Sequence, residues 1–124
     1  MFEQSDRFIL YSIDSFRMPD VKTTFHEYPI VGQVEIQDSK IRSKLIAYLY
    51  DGMAGFALAA ACFNPHHAIR AIKGNKTIDL VICFTCSGVD IYYGKLEGHA
   101  NVAPEPRRFY DSVLTDAGVP LSTH

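Results

Sequence analysis

The stretch "HAIRAIKGNKTIDLVICF", His67 to Phe84, decides the fold. Two runs rich in β-branched and apolar residues flank Gly74 and Asn75, a pair suited to a two-residue hairpin turn. With that turn, Arg70 stands opposite Asp79, Ile69 opposite Leu80 and Ala71 opposite Ile78. A charged cross-strand pair and an apolar face come out of one register. Continuing it sets His66 opposite Cys83, on the face shared with Arg70, and His67 opposite Ile82, on the apolar face. After the tight corner "TCSG", Val89 to Gly94 reads as a third antiparallel strand.

Working outward, Arg7 to Ile13 and Tyr28 to Ile36 read as two further strands, the second with a bulge expected at Gly32. The polar segment between them carries Pro19 and reads as a loop. Asp38 is a good N-cap, after which Ile41, Leu45, Tyr48 and Leu49 recur at helical spacing, predicting a helix over 39–51 that Gly52 stops. "GFALAAACF", Gly55 to Phe63, is a short buried helix or a buried strand, and its period does not choose. "KLEGHANVAPEP" reads as a loop. Pro106 then opens a helix over 106–117, with Phe109, Tyr110, Val113, Leu114 and Ala117 on its apolar face and Gly118 and Pro120 at its end. The expected fold is α+β, a mostly antiparallel sheet with the two helices packed on one face, and residues 1–124 form one domain.

Composition narrows the function classes. The 124 residues include 12 Lys and Arg against 14 Asp and Glu, for a formal charge of −2. The basic footprint of a nucleic-acid or anionic-membrane binder is missing. Glu3 and Asp6 stand where a signal peptide needs basic residues, and no run approaches the roughly 18 to 20 apolar residues of a membrane span. A soluble, cytoplasmic chain is expected.

The 3 cysteines are an odd count, which in a reducing compartment favours thiols or metal ligation over a disulfide framework. "CFTCSG" has the form CxxCxG, in which two thiolates converge at a turn and the glycine lets backbone N–H groups approach the sulfurs, as in a zinc knuckle. Cys62 with His66 or His67 would complete four ligands. Three readings stand side by side: structural zinc on Cys62, Cys83, Cys86 and one histidine; buried thiols that merely pack; and thiol redox chemistry. Against redox, this CxxC closes a strand and does not open a helix.

"CFNPHHAIRAIKGNKTIDLVICFTC", Cys62 to Cys86, together with "FHEYPIVGQVEIQD" and "LTDAGVPL", resembles a family of small bacterial proteins of uncharacterised function whose pattern is roughly CFxPRHxIR, a short hairpin, then DLVICFEC. The resemblance covers most of the chain. Many relatives look like exported lipoproteins, whereas this chain shows no lipid-attachment signal. In the family pattern the histidine falls at His67 and an arginine at position 66, so the resemblance favours His67 as ligand where the hairpin register favours His66.

Other polar groups read as structural. His26 and Glu27 form a surface pair with no third, orienting group visible in the sequence. Ser12, Ser87 and Ser112 lack a nucleophile elbow or a neighbouring base. No catalytic residue is assigned. The expected function is therefore a small non-enzymatic binding protein acting on another protein, for instance an immunity or inhibitor protein that neutralises a toxin. A thiol-dependent redox protein and a reversible metal-binding protein are the alternatives, and pairing of edge strands would give a homodimer.

Overall fold

The computed structural model describes residues 4–16, 23–54, 64–85 and 87–122. The chain runs through β1 (Arg7–Ile13), β2 (Thr24–Phe25), β3 (Tyr28–Glu35), α1 (Ser39–Ala54), β4 (His67–Lys73), β5 (Lys76–Cys83), β6 (Gly88–Tyr93), β7 (Leu96–Asn101) and α2 (Arg107–Asp116). The strands form one sheet in the order β2-β3-β1-β4-β5-β6-β7, and every neighbouring pair is antiparallel. Among the described residues this strand-dominated sheet is the main feature, with two helices added to it.

The central hairpin has the register its sequence predicts: Arg70 pairs with Asp79, Ile69 with Leu80 and His67 with Ile82. Gly74 has a φ of 60°, a left-handed conformation that glycine enters without steric cost, and its N–H is capped by Asp6 Oδ2 at 2.7 Å. β1 lies between β3 and β4 and is buried at every position from Phe8 to Ile13. Its side chains alternate between two cores. Phe8 and Leu10 join Ile69, Ala71, Leu80 and Ile82 beneath Leu45, Ile46 and Leu49 of α1 and Tyr110 and Leu114 of α2. Ile9, Tyr11 and Ile13 join Ala68, Val81, Phe25 and Tyr28 on the other face.

The helices start and stop for local reasons. Asp38 Oδ1 accepts the Lys40 N–H at 2.8 Å, which satisfies an otherwise orphaned first-turn donor. In α2, Val119 N–H bonds Leu114 O and Gly118 N–H bonds Thr115 O, with Gly118 at a φ of 76°. That is a Schellman termination, and it turns the chain back towards the sheet. Val119 Cγ1 then reaches within 2.7 Å of where a Cβ on Gly32 would lie. Gly32 sits beside the irregularity in the β1–β3 pairing, and no larger residue fits there.

Four expectations need correction. The segment read as a loop after Gly94 contains β7, which pairs along its whole length with β6. Its sequence, LEGHAN, lacks β-branched residues and carries Gly98, so its strand conformation comes from the ladder it joins. The polar loop after β1 contains β2, two residues that exist only as the partner of β3. α1 runs through Gly52 to Ala54, since a glycine weakens a packed helix without ending it. Ala117, assigned to the apolar face of α2, is its exposed C-cap. The reading of Gly55 to Phe63 lies outside the described residues.

Candidate functional site

On the sheet face opposite the helices, Arg70, Asp79 and Tyr92 occupy neighbouring positions of one cross-strand row. Arg70 donates from Nε to Asp79 Oδ1 and from Nη2 to Oδ2, both at 2.8 Å. This two-pronged, charge-assisted pair holds the carboxylate in a fixed plane. Its hydrogen bond to Asp79 raises the Arg70 pKa further above its ordinary value. The guanidinium also lies 4.9 Å from the centroid of Phe25, and burial pushes the Tyr11 hydroxyl up against the opposing charge of Arg70.

A third group then enters from a distant part of the chain. His26 Nε2 donates to Asp79 Oδ2 at 2.9 Å, while its ring stacks on Tyr92 with centroids 3.8 Å apart and planes 13° from parallel. Sequence reading treats His26 and Glu27 as a surface pair because the partner of His26 lies 53 residues away. Only the folding of the β2–β3 hairpin over the sheet brings them together.

The turn that delivers His26 is costly. Phe25 and Tyr28 are paired, so His26 and Glu27 are the two central residues, with φ of 50° and 74°. Both positions favour Asn or Gly, and a residue with a Cβ in the left-handed region costs roughly 1 kcal/mol or more. Tertiary contacts hold the conformation: the ion-pair network below, Tyr92 beside the ring and Phe25 edge-on at 5.1 Å. Beside this cluster opens a groove of about 370 Å³ whose walls include His26, Lys76, Thr77, Asp79, Tyr92 and Tyr93. Asp79's charge is met by Arg70, and Lys76 is the cation in the groove's lining.

The cysteine and histidine residues named from sequence lie elsewhere. Cys62 and Cys86 are outside the described residues. Cys83 is buried and in a disulfide whose other half is also outside them. Its sulfur accepts a hydrogen bond from the Thr85 hydroxyl at 3.4 Å, since a disulfide sulfur has no proton to donate. His67 belongs with Ile69 on the helix-covered face, whereas alternation sets Cys83 with Asp79 and Val81 on the other. His67 Nε2 instead donates to Asp111 Oδ1 of α2 at 2.6 Å. Burial would raise the Asp111 carboxyl, but the hydrogen bond from His67 and the nearby charges of His67, Arg107 and His66 together hold it below its ordinary value. Among the described residues no group of three or more His, Cys, Asp or Glu side chains is arranged to hold a metal ion. No helix among them is long and apolar enough to cross a membrane.

Comparison with protein-family models, curated proteins and solved structures finds no match for this chain.

Proposed function

We propose that this chain is a protein-binding module that seats a segment of another protein in the groove beside His26, gripping an acidic side chain between Lys76 and the ring of Tyr92. The observation that supports this most is the His26–Glu27 turn. Two left-handed residues with side chains are maintained where Asn-Gly would close the same hairpin more cheaply, and the product is an imidazole clamped against Asp79 and Tyr92 at a concave surface. Rigid aromatic rings present large contact areas at small entropic cost, and a cation at the rim supplies charge selection. Inhibition of a toxin is one use of such a surface, and the product of the adjacent gene is the partner to test first.

The experiment is a pull-down of that product with three baits: the wild-type chain, Lys76→Glu and Tyr92→Ala. Retention by the wild type and loss of at least about tenfold in affinity with either variant is expected, the size of one good anchor contact. Equal retention by all three baits would place the interface elsewhere.

A second reading, a thiol–disulfide protein using Cys83 and Cys86, draws support from the disulfide at Cys83. Its test is the midpoint potential, expected near cellular poise; a potential below about −300 mV marks a bond that is structural and does not cycle.

A further inference from the structure

A second polar cavity lies under the helix-covered face. It has a volume of about 50 Å³ and is lined by Ser12, His66, His67, Arg107, Asp111, Leu121 and Ser122. Ser12 and His67 are direct cross-strand partners on β1 and β4, and α2 closes the space from above. The floor is the informative part. Ser12 is fully buried, and its Oγ has no hydrogen-bond partner within the protein, the one such side-chain atom among the described residues. A buried hydroxyl left unpaired costs on the order of 1–3 kcal/mol, so its persistence calls for a partner.

The rim supplies the sign of charge. Arg107 is the first residue of α2, and its guanidinium is held only loosely, with Nε 3.7 Å from Asp111 Oδ2. α2 has no side-chain cap at its N-terminus and no acidic residue in its first turn, so no side chain of that turn offsets the positive end of its dipole. Asp111 also faces the cavity, but its Oδ1 is engaged by His67 Nε2 at 2.6 Å. Ser122 is engaged as a donor to Asp14 Oδ1 at 2.7 Å. A donor at the base and a cation at the mouth select an anion, and the volume admits one carboxylate-sized group.

We propose that this cavity is a binding site for a single small carboxylate, which accepts the Ser12 hydroxyl proton at its inner oxygen and pairs with Arg107 at its outer one. The carboxylate belongs either to a free small acid or to the end of a longer molecule that leaves past Arg107 and Leu121, lining side chains that are partly exposed. The site is independent of the groove beside His26, which lies on the opposite face of the sheet.

The test is a heteronuclear NMR titration of the full chain with sodium formate and, in a second arm, with a short peptide carrying a free C-terminal carboxylate or its amide. Saturable shifts at Ser12, His67 and Arg107 with formate alone identify a free acid. Tighter binding of the peptide acid than of formate, absent for the amide, identifies a pendant carboxylate. Ser12→Ala removes an unpaired buried hydroxyl, so it is expected to fold and melt at or above the wild-type temperature, yet to bind formate at least about tenfold more weakly, the loss of one charge-assisted hydrogen bond. Arg107→Gln tests the outer contact in the same way. Linear, non-saturating shifts in both arms, or formate affinity unchanged in both variants, would overturn the proposal.

Discussion

Asp79 is the residue on which the exposed cluster depends. It accepts two hydrogen bonds from Arg70 and one from His26, and its own side chain is 8 % exposed. Asp79→Asn keeps the shape but removes the charge that both partners address. Arg70 is about a third exposed, so water compensates in part, and we expect a loss of about 2 kcal/mol by urea denaturation. His26 should lose its fixed orientation in the same variant, visible as averaging of its ring signals by NMR. Asp111 makes a prediction about acid. Its carboxyl is held below the ordinary value in the folded state, so the folded protein resists its protonation. The associated stability is fully present above the unfolded carboxylate value of about 4 and is lost as pH falls through the lower, folded value. The wild type should therefore weaken faster than Asp111→Asn as pH drops below about 4, measured as unfolding free energy against pH. Tyr110 acts at the other end of the scale, since burial raises its pKa while its hydroxyl donates to Leu45 O at 2.8 Å. A phenol that stays protonated when folded gives stability that is present below its unfolded value and lost as pH rises above it.

At the scale of elements, the β2–β3 hairpin is the one whose local sequence and conformation disagree. Thr24 and Phe25 are too few to signal a strand, and His-Glu is a poor choice for two left-handed positions. Glu27→Gly relieves one of them while keeping His26 in place. It should stabilise the protein by up to about 1 kcal/mol and leave the groove intact, as read from thermal melting and from the wild-type pattern of His26 and Tyr92 contacts in NMR spectra. The central hairpin is the opposite case. Its turn residues, its apolar alternation and the Arg70–Asp79 pair all agree, which is why its register can be read without a structure. β7 lies between these cases: nothing in LEGHAN demands a strand, and its six residues are extended because β6 offers them an unpaired edge.

For the whole molecule, the disulfide at Cys83 is the testable global feature. A chain with 3 cysteines and one disulfide has one thiol left, so denatured, unreduced protein should titrate a single thiol. Reduction should restore three and lower stability by about 2–4 kcal/mol, measured by denaturation with and without reductant. Three thiols before reduction would show that the bond does not form in the purified protein.

The amino-acid sequence by itself determined the elements whose signals are local. Hairpin β4–β5, strands β1, β3 and β6, and helices α1 and α2 follow from periodicity, turn residues and caps that lie within a few positions of one another. Tertiary structure alone decided which distant side chains meet. His26 reaches Asp79 across 53 residues, and His67 reaches Asp111 across 44. His67, which sequence spacing groups with the cysteines, is thereby bound to a carboxylate, because strand alternation sends it to the helix side of the sheet and Cys83 to the other. Contacts of that range depend on sheet order and on which distant element covers each face, and neither is encoded in the spacing of any one stretch.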